Sequence, residues 1–255
     1  MKSHTIYDHP LYYDILFSWN RNPEADFYEA AFERYGVATG EPVLEMACGP
    51  GQVARRLAQR GWRLTGIDDQ PAMIAFLREH AAAEGVSIDA ICADMREFSS
   101  SKAFGAAYNP LSSFRLLHEA SDVDRHLRAM AGVLRPTGIY ILDLDFLGSE
   151  ATEATTTDEE WEMARGSITV RATDAAVHVD DGGVRQTIAW GDGTRHLLGY
   201  TARAFAERVN DNGCFSIEAW HPEAGQGADG VSTFSPNATA ELPAAGRTMV
   251  VLRRI

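Results

Sequence analysis

Residues 42–68 read PVLEMACGPGQVARRLAQRGWRLTGID, and few folds accept such a run. Val43 to Met46 form a short apolar run, as expected of a strand buried on both faces. Cys48, Gly49, Pro50 and Gly51 make a tight turn. Gln52 to Arg60 carry Val53, Leu57 and Ala58 at helical spacing, Gly61 stops that helix, and Trp62 to Ile67 give a second strand closed by Asp68. Glycines 49 and 51 remove side chains where a ligand must come close. The helix that follows aims unpaired N–H groups into the same space, which suits a carboxylate or phosphate. Asp68, one strand over, stands where a carboxylate takes two hydrogen bonds from a ribose diol.

Two ligand classes fit this turn. Gly49 to Ala54 match the dinucleotide pattern G-x-G-x-x-G/A. Pro50, however, lacks the N–H that a phosphate cradle would use. Read as Glu45-Met46-Ala47-Cys48-Gly49-Pro50-Gly51, the turn resembles the first motif of class I S-adenosylmethionine methyltransferases, E/D-x-G-x-G-x-G. Glu45 is awkward beside a pyrophosphate and acceptable near an ammonium or sulfonium. Ala47 replaces the family's usual first glycine, an exchange expected to work only if residue 47 keeps φ below zero.

The resemblance continues downstream. Pro71 to Ala83 read as a helix and Val86 to Ala93 as a third strand. Asp94-Met95, at its end, resembles the second motif, where an acid receives the adenine amino group and its neighbour packs on the ring. Phe104 to Tyr108 look like a fourth strand leading into Asn109 to Phe114, and in this fold the end of that strand faces the transferred methyl. The phrase LRPTGIYILDLDF resembles the family's "LRPGG" turn and fifth strand. The resemblance thus implies S-adenosylmethionine as cofactor, held by Tyr13, Glu45, Ala47, Gly49, Gly51, Asp68, Asp69, Met73, Asp94, Met95 and Asn109.

The expected fold is α/β. It is a Rossmann-like, seven-stranded, mostly parallel sheet with helices on both faces, an antiparallel edge strand and a small antiparallel β insertion. Residues 1–40 are aromatic-rich and read as an N-terminal helical lid; Tyr12-Tyr13-Asp14 resembles a segment that folds over the cofactor. Residues 41–149 and 196–255 make the cofactor-binding core. Residues 150–195 make the insertion over the acceptor site, with strands on either side of Asp181-Gly182-Gly183. Thr201 to Asn212 read as the last helix, Phe215 to Trp220 as a strand, Ala224 to Gly246 as a long loop and Arg247 to Arg253 as the closing strand.

Several residues are candidates beyond the cofactor. His118, just past the fourth strand, is the candidate catalytic base. Trp19, Ser113, Trp161 and His221 are candidates for the acceptor pocket. Trp190, His178, Arg115 and Arg165 are weaker candidates, for which packing or ion pairing is the plainer expectation. Asp143 and Asp145 share a strand face, but no matching acid stands at Asn109, so no metal is expected.

Composition narrows the function. The 255 residues, 45% hydrophobic, suffice for one enlarged domain. A net charge of −13 argues against nucleic acid as the main partner. Three widely spaced cysteines suggest a reducing compartment, and no long apolar run or signal-like start is evident, so a cytoplasmic protein without membrane contact is expected. The expected function is methyl transfer from S-adenosylmethionine to an O or N atom of a small molecule, in the manner of bacterial antibiotic and sugar methyltransferases. The alternatives are an NAD(P)-dependent oxidoreductase and a non-catalytic cofactor-binding module. An exposed β insertion could also pair two copies into a homodimer.

Overall fold

The computed structural model describes residues 5–148, 160–190, 198–226 and 232–255. The chain opens with α1 (Pro10–Leu16) and α2 (Asn22–Arg34). There follow β1 (Pro42–Met46), α3 (Gln52–Gln59), β2 (Arg63–Asp68), α4 (Pro71–Ala83), β3 (Ile88–Cys92), β4 (Phe104–Asn109), α5 (Ala120–Val133) and β5 (Leu134–Leu147). The insertion supplies β6 (Trp161–Arg165), β7 (Ile168–Ala172), β8 (Ala176–Asp181) and β9 (Val184–Ala189). The chain closes with β10 (Tyr200–Thr201), α6 (Ala202–Asn212), β11 (Phe215–Gln226), β12 (Ser232–Phe234) and β13 (Gly246–Arg254).

The main sheet runs β12-β11-β13-β5-β4-β1-β2-β3, with β10 beside β5. The five strands from β5 to β3 are parallel, while β13, β11 and β12 are antiparallel. Strand periodicity explains the layering. Val43, Ala106, Tyr108, Ile139 and Ile141 point to one face, against Ala25, Phe32, Val53 and Leu57 of α2 and α3. Leu44, Ala107, Tyr140 and Leu142 point to the other, against Leu127 and Met130 of α5 and Phe205 of α6. No helix among the described residues is long and apolar enough to cross a membrane.

The sheet differs from expectation at its antiparallel end. Two strands are added, β12 at that edge and β10 parallel to β5. The segment expected as a loop from Ala224 to Gly246 contains β12, which pairs with an extended β11. Its Gly, Ala, Pro and Ser content hid the strand. The LRPTG turn lies inside β5, where Thr137 takes φ +62° and the register against β4 shifts. The insertion is a four-stranded meander, β6-β7-β8-β9. Within residues 5–40 the two helices pack in different places. Ile15, Leu16 and Phe17 of the α1 segment pack with Val170, Val177 and Ile188 of the insertion, whereas α2 packs on the main sheet.

Candidate functional site

In a parallel sheet, a crevice opens beyond the strand ends where the order reverses. Here that point lies between β1 and β4, and a cleft opens there whose space of about 330 Å³ includes open solvent. Its floor is Glu45 and the turn from Ala47 to Pro50; Pro110, Leu111 and Ser113 form one wall, and Tyr13 and Arg21 the other.

The turn alternates unusual backbone angles. Ala47, Gly49 and Gly51 take φ of 51°, 52° and 72°. This corrects the expectation for Ala47, which does not keep φ below zero. The cause is local. Cys48 N–H donates to Ile67 C=O at 2.8 Å and Gly51 N–H to Cys48 C=O at 2.9 Å, which fixes the path of the chain. For alanine the left-handed region costs roughly 1–2 kcal/mol. Gly51 has no substitute: a Cβ there would overlap Leu77 Cδ1.

Asp68 ends β2 and is 9% exposed. Its Oδ2 accepts Gly49 N–H at 2.8 Å and its Oδ1 accepts Gln70 N–H at 3.0 Å. Each oxygen keeps acceptor capacity for a diol. Burial lifts its pKa to about 6, opposed by those two bonds. Glu45, 1% exposed, accepts the Tyr108 hydroxyl at 3.1 Å, and burial lifts its pKa to about 8.

Asp94 and Met95, like Asp68, stand off the cleft lining; Asp94 is gripped by Arg96, whose Nε lies 2.9 and 3.0 Å from the two carboxylate oxygens. That pairing holds the Asp94 carboxyl below its usual range. Arg96 also reaches Asp122 on α5 at 3.0 Å. Met95 C=O accepts His126 Nδ1–H at 2.8 Å, so His126 Nε2 is the acceptor of the Tyr140 hydroxyl at 2.7 Å. Burial pushes that histidine down to about 4, so it is neutral at pH 7. His126 thereby fixes the position of Met95, a role the sequence does not signal. Asp69 is exposed and Met73 is buried on α4. Asn109 is fully buried and off the cleft lining; its Nδ2 donates to Met46 C=O at 3.2 Å and its Oδ1 accepts Phe114 N–H at 2.7 Å. It ties β1 to the loop that follows β4.

Several acceptor-side candidates lie elsewhere. His118 is exposed and off the cleft lining, because its neighbour Leu117 turns into the core. His221 is 2% exposed at the antiparallel end of the sheet; Tyr35 Oη lies 2.9 Å from its Nε2 and Ser235 C=O 2.9 Å from its Nδ1. Neither His118 nor His221 lines the described cleft. Trp19 and Trp161 also miss the lining and pack edge-on to Phe17. Trp161 Nε1 donates to Leu16 C=O at 2.9 Å, so it fastens the insertion to α1. Trp190 is 2% exposed within the insertion core. His178 lies on an exposed face of β8, with Nδ1 3.2 Å from Thr187 Oγ1. Arg165 pairs with Asp14 at 2.8 Å, and Arg115 donates to Leu198 C=O at 2.7 Å. Asp143 is held by Arg247. Ser113 does line the cleft.

Arg21 escaped the sequence reading. It is 1% exposed, lines the cleft and stacks over Trp19 with Cζ 5.1 Å from the ring centroid. Its Nε lies 2.8 Å from Glu24 Oε2 as an ion pair without hydrogen-bond alignment, and neither Nε nor Nη1 has a hydrogen-bond partner among the described residues. A buried, partly unsatisfied guanidinium at a cleft wall suits a carboxylate. The only trace of it in the sequence is its place before Asn22-Pro23, where α2 starts.

Residues 43–138 match the family model of a methyltransferase domain. The ubiquinone biosynthesis O-methyltransferase of Chromobacterium violaceum is 26% identical over 106 residues, 42% of this chain and 45% of that protein. The chain spans less than half the length of the curated relatives it matches. Among solved structures, an S-adenosylmethionine-dependent methyltransferase from Clostridium acetobutylicum superposes with TM-score 0.69 at 14% identity, covering 95% of this chain and 96% of that one. CalS10, an amino pentose methyltransferase of calicheamicin biosynthesis from Micromonospora echinaspora, superposes with TM-score 0.63 at 17% identity, covering 93% and 92%. The fold is therefore that of the class I methyltransferases.

Proposed function

We propose that this chain, whose residues 43–138 form a methyltransferase domain, transfers a methyl group from S-adenosylmethionine to an oxygen or nitrogen of a small molecule. The observation that carries this reading is the cleft between β1 and β4, floored by the glycine turn and flanked by the Asp68 carboxylate. The residues present fit the cofactor. Asp68 takes the ribose diol, Asp94 and Met95 the adenine, Glu45 the ammonium and Arg21 the carboxylate. Bound there, the cofactor supplies an activated methyl on a sulfonium.

The chain's own part is positioning. Gly49 brings bare backbone against the ligand, and Tyr13 covers it: a Cβ on Gly49 would stand 3.7 Å from Tyr13 Cε1. Pro110, Leu111 and Ser113 shape the space where an acceptor must lie in line. A neutral amine acceptor needs no base, whereas a hydroxyl must lose its proton. Leu111 packs against the cluster shared by α1 and the insertion, which supports an acceptor site covered by the insertion, and the resemblance to sugar methyltransferases favours a natural-product acceptor. The net charge of −13 disfavours nucleic acid, and three free cysteines suit a cytoplasmic setting.

Calorimetry with S-adenosylhomocysteine tests the reading. Binding is expected in the micromolar range, and Asp68→Ala should weaken it by more than about tenfold, the worth of one hydrogen bond to a charged group. Undiminished binding in that variant would remove the ribose assignment. Quenching of NADH fluorescence on mixing would favour an oxidoreductase instead.

A further inference from the structure

The two walls of the cleft come from distant parts of the chain, yet a single guanidinium ties them together. Arg247, near the start of β13, donates from Nε to Asp143 Oδ1 at 2.9 Å and from Nη2 to Asp143 Oδ2 at 2.7 Å. The same Nη2 donates to Glu24 Oε1 at 2.7 Å. Asp143 is fully buried and Glu24 is 1% exposed. Each carboxylate has a second partner at the cleft. Glu24 Oε2 forms an ion pair with Arg21 Nε at 2.8 Å, a charge contact without hydrogen-bond alignment, and Asp143 Oδ2 accepts Leu111 N–H at 3.0 Å. Leu111 and Ser112 take φ of 56° and 54°, a left-handed pair that residues with side chains avoid. Such strain persists only where the surroundings impose it, and here a bond from a buried carboxylate does so.

We propose that Arg247 is a positioning residue for methyl transfer. Through Glu24 it sets Arg21 on one wall, and through Asp143 it sets Leu111 on the other. This rests on the cofactor assignment given above. Without Arg247 the two buried carboxylates would keep too little opposing charge. Lysine cannot replace it, because one ammonium offers no planar fork to hold two carboxylates at fixed angles.

The test labels the protein with 5-fluorotryptophan and assigns the Trp19 fluorine resonance by its loss in Trp19→Phe. In Arg247→Lys the Trp19 resonance should shift, since Arg21 stacks on that ring. Affinity for S-adenosylhomocysteine should fall about tenfold, and combining Arg247→Lys with Arg21→Met should lose less than the sum of the two. A variant that melts earlier yet keeps the native Trp19 resonance and affinity would show a merely structural residue and overturn the proposal. If Arg247→Lys does not fold, Glu24→Gln decides by the same readouts, because the amide keeps a bond to Arg247 while loosening Arg21. Failure of the wild-type protein to bind S-adenosylhomocysteine would sink the cofactor assignment, and the Trp19 resonance would still judge Arg247.

Discussion

Glu45 holds its proton at neutral pH, because burial lifts its pKa to about 8. Its contribution to stability has a definite sign. Below the unfolded value of 4.5 both states are protonated and nothing is lost; as pH rises toward 8 the unfolded chain ionises first and stability falls. A ligand ammonium reverses that preference by favouring the carboxylate. Binding of S-adenosylhomocysteine below pH 8 should therefore release a proton from Glu45. Affinity should rise with pH by up to about tenfold per unit toward 8 and then level off. Calorimetry in two buffers of different ionisation heat counts the proton, and Glu45→Gln should abolish the release. Ala47 gives a second prediction at this scale. The sequence identified φ at residue 47 as the condition that mattered, but its sign depends on the bond from Cys48 N–H to β2, which sequence does not display. Ala47→Gly should raise stability by about 1 kcal/mol, read as a higher denaturant midpoint.

Among the elements, one carboxylate ties α1 to both α3 and β6. Asp14, 3% exposed, pairs with Arg55 of α3 at 3.3 Å and with Arg165 of β6 at 2.8 Å, and its Oδ1 accepts Gln52 Nε2–H at 2.9 Å. Tyr13, its neighbour, covers the glycine turn. Asp14→Ala should loosen this attachment, weaken S-adenosylhomocysteine binding several-fold and speed proteolysis within residues 5–20. The stability loss should be about 2 kcal/mol, below the range for a fully buried pair because Arg165 is nearly half exposed. Equal proteolysis rates would show that α1 is held by its apolar contacts alone. The strands and helices of the core were legible because their patterns are local: Val43 and Leu44 alternate between faces, and Gly49 and Gly51 mark the turn. The polar framework was not. Arg247 and Glu24 are 223 residues apart in sequence, and His126 meets Met95 across α5 and the turn after β3. Nearness to strand ends, which singles out His118 and His221, does not say whether a side chain reaches the cleft.

At the scale of the whole molecule, the apolar contacts divide differently from the chain. The main sheet has clusters on both faces, and a further cluster joins α1 to the insertion. Phe17 lies at the seam. It is 5% exposed, with ring centroids 4.5 Å from Tyr13, 5.4 Å from Trp19 and 5.6 Å from Trp161. A small four-stranded meander has one face to bury and little area of its own to do it with, so α1 serves as its second layer. Regions joined mainly by such contacts open at their own free energy, below that of the global core. Phe17→Ala should cost that unit about 3 kcal/mol or more, the usual loss for a buried phenylalanine. Hydrogen exchange should then show amides of β7 and β8 losing protection together, while those of β4 and β5 keep theirs. Loss of protection by the same amount in both sheets would mean that the insertion and the main sheet unfold as one, and that the cleft has no separately mobile cover.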